Sequence, residues 1–236
     1  MCMKIIEFCG NPGVGKSTLI TALTKEMCHR GIKTVCYIPG TKVGFDFWPL
    51  LSKFIIWYYD KKFNKEKHYK EQYKEFCDYV SKSEYDNCAL HTHRILELIY
   101  ILEHLAGKKT EYLLMDEGYL IRIAAYVCER ALSEDELAYF SSFINSHVYD
   151  KYDVHIAYCS VEQELMVERI HKRGRGRVTD RLCMLKDNQL IQLINTFEHN
   201  RRALIDRVHK KGMIDIQTES YNVSDVCDKI LLATNS

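Results

Sequence analysis

The stretch Gly10 to Thr18 reads GNPGVGKST and places Gly10, Gly15, Lys16 and Ser17 in the pattern GxxxxGKS. Glycines at such spacing let backbone N–H groups turn inward into an anion-binding nest. A helix opening directly afterwards adds partial positive charge, and a lysine at its start reaches terminal phosphates. Asn11, Pro12, Gly13, Val14, Gly15, Lys16, Ser17 and Thr18 are therefore the candidate nucleotide-binding residues, with Ser17 as a Mg2+ ligand and Thr18 against the inner phosphate. With glycine at roughly 7% of residues, the four fixed positions coincide by chance in about one chain in a hundred. The expected ligand is a nucleoside triphosphate, with ATP and Mg2+ as the first choice.

Two further groups could act on that triphosphate. The stretch YLLMDEG ends in Asp116 and Glu117, at what would be the carboxyl edge of a sheet, where ligands of such folds collect. Asp116 suits Mg2+, directly or through water. Glu117 is open to three readings: it polarises water in an ATPase, it takes a proton from or orients an acceptor in a kinase, or it caps the helix beginning near Gly118. The third group is HKRGRGRVTDR, His171 to Arg181, which follows Arg169 and puts Arg169, Arg173 and Arg175 in the spacing RxxxRxR. Phosphoryl transfer requires cations around the transferring group and exclusion of water, and a glycine-hinged arginine segment that closes over the nucleotide supplies both. A nucleic-acid patch is the weaker alternative, because no aromatic residues interleave with these arginines.

Elements must position these residues. Five short apolar runs read as buried strands: Lys4 to Cys9, Thr34 to Ile38, Glu111 to Asp116, Val154 to Cys159 and Met213 to Thr218. Alternation with helical patterns predicts a parallel sheet covered on both faces, a three-layer α/β sandwich of strand order 2-3-1-4-5. Helices are expected over Ser17 to Arg30, stopped by Gly31, over Leu90 to Ala106, stopped by Gly107, after Ser160, and over Asp225 to Leu232. The expected organisation is a single domain over 1–236, with a helical substrate-side insertion at 41–109 and a lid at 169–181. The Lys/Glu-rich stretch inside the insertion reads as a solvated helix face.

Composition narrows the function classes. The 236 residues are 47% apolar and 28% charged, with 33 Lys plus Arg against 32 Asp plus Glu. No chain-wide field would draw such a chain onto nucleic acid or an anionic membrane, so any attraction for phosphate is local. The ten cysteines include no CxxC pair, and the start MCMKIIEFCG lacks the pattern of a signal peptide. Reduced thiols in a cytoplasmic protein are expected. His91 and His93 form the one close histidine pair. They read as surface or packing residues, with no thiol or carboxylate at zinc-ligand spacing. The most apolar run, Phe54 to Tyr59, is too short to cross a bilayer.

The stretch DVHIAYCSVEQELMVERIHKRGR, the phosphate loop and the terminal MIDIQTESYNVSDV together resemble the thymidylate kinase and deoxynucleoside kinase branch of P-loop kinases. The resemblance spans most of the chain and is weak over Thr41 to Ala89. It implies that Arg169, Arg173 and Arg175 form a lid on the nucleotide, that Arg94 serves the acceptor side, and that Thr218 to Tyr221 lies near adenine. The implied activity is transfer of the ATP γ-phosphate to a nucleoside or nucleoside monophosphate, with a homodimer as a possible assembly. The alternative is a P-loop ATPase or nucleotide-dependent switch acting on a protein partner; no NKxD motif supports a GTPase. Phe45, Phe47, Trp48, Trp57 and Tyr58 are either acceptor-stacking residues or part of the core or a dimer interface. Two departures stand out: only Asp46 follows the second strand as a carboxylate, and Gly118 follows Asp116 and Glu117 where the relatives pair an acid with an arginine.

Overall fold

The computed structural model describes residues 3–38, 58, 61–63, 71–82, 85, 88–105, 110–127, 130–173, 182–208 and 211–235, with only the backbone of Arg173 included. Strands β1 (Lys4–Cys9), β2 (Thr34–Tyr37), β3 (Tyr112–Asp116), β4 (Asp153–Ser160) and β5 (Ile214–Gln217) coincide with the five apolar runs to within a residue or so at each end. They form one sheet, all parallel, in the order β2-β3-β1-β4-β5. β1 is central, with Ile5 opposite Leu113 on one side and Val154 on the other. The strands lack polar alternation because helices cover both faces.

The helices are α1 (Lys16–His29), α2 (Lys74–Ser81), α3 (Cys88–Leu105), α4 (Tyr119–Ala124), α5 (Glu134–Ile144), α6 (Gln163–Arg173), α7 (Asp187–Val208) and α8 (Val223–Asn235). α5 starts at a capping box in which Ser133 and Glu136 each take the other's backbone N–H, and it runs on into one π turn, Asn145–Tyr149. The odd residues Ile5 and Cys9 of β1 pack with α3, α4 and α5. The even residues Ile6 and Phe8 pack with α1, α6 and α8. α7 serves both layers: Leu190 and Ile194 join the second cluster, whereas Leu204, Ile205 and Val208 join the first. It therefore passes the carboxyl edge of the sheet. None of the helices among the described residues is long and apolar enough to cross a membrane.

A buried carboxylate lies in the central strand. Glu7, in the middle of β1, has no solvent exposure. Its carboxylate accepts the Leu120 N–H at 2.8 Å and the Tyr149 hydroxyl at 3.1 Å. Burial pushes its pKa up from 4.5 to about 7 despite both hydrogen bonds. The folded protein thus keeps this proton to near neutrality, whereas the unfolded chain releases it near its ordinary value. Stability from this group is fully present below about pH 4.5 and is lost as pH rises through about 7. The span corresponds to up to about 3 kcal/mol. Glu7→Gln should flatten the fall in unfolding free energy between pH 4.5 and 7, measured by urea denaturation across that range. An unchanged slope would remove Glu7 as its source.

Candidate functional site

The turn from β1 into α1 forms the phosphate loop. Its glycines Gly10, Gly13 and Gly15 have φ of 141°, 90° and 92°, the left-handed half that glycine alone enters freely. At Gly10 space is decisive as well: a Cβ there would lie 2.4 Å from the Cys159 carbonyl oxygen on β4. Lys16 is buried, and its Nζ donates to the carbonyls of Gly10 at 2.8 Å and Asn11 at 3.1 Å. The loop's far side is braced by Thr218, whose hydroxyl lies against the Val14 carbonyl and whose N–H donates to Ser160 at 2.9 Å. Arg169 on α6 reaches the same loop, its NH1 lying 3.5 Å from the Gly13 carbonyl. Thr18 is exposed on the second residue beyond Lys16.

Ser17 and Asp116 meet across the β1–β3 edge, the Ser17 hydroxyl donating to Asp116 Oδ2. Asp116 is 3% exposed, and its Oδ1 is buried with no hydrogen-bond partner among the described residues. A hydroxyl and an unsatisfied carboxylate oxygen beside a phosphate nest are hard oxygen donors of the kind Mg2+ takes, so these residues fit that ion. No cluster of three or more His, Cys, Asp or Glu suited to a metal occurs among the described residues.

The loop, Lys16, Ser17 and Asp116 form one end of a cleft of about 210 Å³. Its polar wall holds Glu117, Arg122 and His91; its apolar wall is made by Ile121 with Leu193, Ile194 and Phe197 of α7. Glu117 has φ of 55°, the only described non-glycine residue in the left-handed region, and such strained residues gather at functional sites. Arg122 pairs with Glu117 at 2.6 Å, while its Nε is buried without a hydrogen-bond partner among the described residues. His91 on α3 is 7% exposed, with its Nδ1 likewise buried and unpartnered. Burial, reinforced by Arg122, lowers its pKa to about 4, so the ring is neutral near pH 7. A wider depression of about 560 Å³ between α6 and α7 lies open to solvent and contains none of the loop residues.

The structure brings Lys16, Ser17, Asp116 and Glu117 to one cleft and sets Arg169 against the loop. Asn11 turns its side chain away from the loop toward α7, where its amide donates to Glu198 at 2.5 Å. Arg94 does not line the cleft; it is held at 2.5 Å by the buried Glu97 of its own helix, beside the Tyr37 hydroxyl. The side chain of Arg173, and Arg175, Phe45, Asp46, Phe47, Trp48 and Trp57 altogether, lie outside the described residues. Tyr58 is 43% exposed. Arg122 and His91 were missed from sequence. The only available signal for Arg122 was a basic residue one helical turn beyond DEG, and for His91 none sets it apart from its neighbours.

The glycine after Glu117 has a steric cause. A Cβ on Gly118 would lie 2.6 Å from the Glu7 carboxylate carbon, so any larger residue there forces the buried Glu7 side chain to shift; the arginine that enters the cleft stands one turn further on, at position 122.

The strand order, with a glycine-rich loop leading from the central strand to a helix, defines the P-loop α/β fold. A family model described as RNA helicase matches residues 6–93, which include the end of β1, the phosphate loop, α1 and β2. No curated protein matches the chain. Among solved structures, deoxyadenosine kinase from M. mycoides with bound dATP is 17% identical, with 99% of this chain and 100% of that chain covered and a TM-score of 0.48. The same enzyme with bound dCTP has 17% identity, 99% of each chain covered and a TM-score of 0.46. Shikimate kinase from Acinetobacter baumannii in complex with shikimate is 14% identical, with 98% of this chain and 92% of that chain covered and a TM-score of 0.44.

Gly118→Ala should destabilise the protein by about 1–3 kcal/mol, the range for overpacking a rigid site. Chemical denaturation measures this, and a loss under 0.5 kcal/mol would mean that Glu7 yields more easily than its burial suggests.

Proposed function

We propose that this chain is an ATP-dependent phosphotransferase acting on a small-molecule acceptor, with a nucleoside or nucleoside monophosphate as the first candidate. One observation carries the reading: the triphosphate cradle and a second set of polar groups, Glu117, Arg122 and His91, share one cleft with an apolar wall. A hydrolase needs only water beside the γ-phosphate. A cleft with its own cation, carboxylate and apolar wall suits an organic acceptor.

In this reading Lys16 leaves the carbonyls of Gly10 and Asn11 to meet the β- and γ-phosphates. Ser17 and Asp116 would hold Mg2+, which would supply charge neutralisation to the phosphates. Arg169 approaches from α6, and Arg173 and Arg175 meet the charge that develops as the phosphoryl group moves. Glu117 orients the acceptor hydroxyl, with Arg122 setting the carboxylate's direction and offering its unfilled Nε to the acceptor. Arg94, tethered to Glu97, stands behind this group on the acceptor side. The remaining features proposed are one domain over 1–236 with an acceptor-side insertion at 41–109, a lid at 169–181, a cytoplasmic location and a possible homodimer.

The test is a coupled assay with ATP and Mg2+ against nucleosides, nucleoside monophosphates and other small hydroxyl compounds, with the product identified by mass. An acceptor-dependent phosphorylated product is expected. ATP consumption that is equal with and without every acceptor, and that releases only inorganic phosphate, would favour the ATPase reading instead. Lys16→Ala should damage both nucleotide affinity and turnover. Arg175→Ala should lower turnover on the order of 10³-fold with affinity nearly kept; a change within a few-fold would exclude the lid role.

A further inference from the structure

Asn11 is the first variable residue of the phosphate loop, yet both ends of its side-chain amide are taken by α7. Nδ2 donates to Glu198 at 2.5 Å, and Oδ1 accepts from Arg201 at 3.2 Å. Glu198 and Arg201, one turn apart, also share Tyr158 near the end of β4: its hydroxyl donates to Glu198 and accepts from Arg201 at 3.2 Å. Arg201 is completely buried, 3.4 Å from its counter-ion Glu198, with its guanidinium 5.4 Å from the rings of both Tyr158 and Phe197. Its Nε and NH1 have no hydrogen-bond partner among the described residues.

A buried guanidinium with unfilled donors costs free energy, and an apolar residue of similar volume would pack there more cheaply. The arrangement instead has a positional consequence. The Asn11 peptide is held twice, through its carbonyl by Lys16 and through its side chain by α7. Once Lys16 turns to a triphosphate the first tether is gone, and only α7 keeps the start of the loop in place. The same helix presents Leu193, Ile194 and Phe197 to the cleft.

We propose that Asn11, Tyr158, Glu198 and Arg201 form a clamp that couples occupancy of the phosphate loop to the seating of α7 against the cleft. The proposal rests on the cleft being a triphosphate site. The four are positioning residues: Glu198, Arg201 and Tyr158 are absent from the cleft lining, and Asn11 acts through its side chain from behind the loop. Binding of ATP tightens the demand on the clamp, and the clamp in turn holds the apolar wall in register with the phosphates.

The full chain, Asn11→Ala, Tyr158→Phe and the double variant would be titrated with ATP and Mg2+ by calorimetry, with amide hydrogen exchange of 190–198 followed with and without ATP. Asn11→Ala leaves Glu198 and Arg201 paired, and Tyr158→Phe removes one hydroxyl, so both should fold; melting temperatures check this. Asn11→Ala should weaken ATP about tenfold or more, since it removes the charge-assisted hydrogen bonds to both Glu198 and Arg201, and Tyr158→Phe by a smaller factor. The double variant should lose no more than Asn11→Ala alone, because both break the same clamp. ATP should slow exchange in 190–198 of the parent and not of Asn11→Ala. Unchanged affinity, additive losses, or protection of α7 that persists in Asn11→Ala would each overturn the clamp. A parent chain that binds no ATP would instead overturn the triphosphate site on which it rests.

Discussion

The cleft depends on one close approach. The chain leaves β1 at Gly10, where the backbone presses against the Cys159 carbonyl of β4 with no room for a side chain. That approach exists because β1 and β4 are hydrogen-bonded neighbours along their whole length, from Lys4 opposite Asp153 to Cys9 opposite Tyr158. It sets the point from which the loop turns and thereby the start of α1 at Lys16. It also aims Ser17 at Asp116, which the neighbouring strand β3 delivers on the other side. The anion nest, the candidate Mg2+ oxygens and the lysine are thus consequences of which strands flank β1.

Electrostatics on this edge follow from burial. Lys16 and Arg122 share a small cleft with Asp116 and Glu117, Arg169 lies against the Gly13 carbonyl of the loop, and His91 adds a neutral ring because burial and Arg122 keep the proton off it. Just inside, Glu7 is driven toward its protonated form by complete burial. It holds the N-terminal turn of α4 through the Leu120 N–H, and its bulk excludes a side chain at Gly118. The α4 helix is therefore seated by a carboxyl group that takes no part in the cleft, and that seat decides where Arg122 enters.

α7 gives the second constraint. One helix packs into both layers, lines the cleft with apolar side chains and grips the loop through Glu198 and Arg201.

The sequence alone determined the sheet and the loop. Continuous apolar runs such as KIIEFC and EYLLMD read as strands buried on both faces, and GNPGVGKST between a strand and a helix reads as an anion nest. Those signals are local, carried by neighbouring residues and their periodicity. The cleft's second polar set was not legible, because His91 and Arg122 lie on two separate helices, α3 and α4, whose sequence spacing carries no pattern. Only tertiary packing puts an arginine at position 122 beside Glu117 while leaving the one at 94 on Glu97. Charge in a sequence has no direction; burial and neighbours across the sheet edge decide which groups face the same cleft.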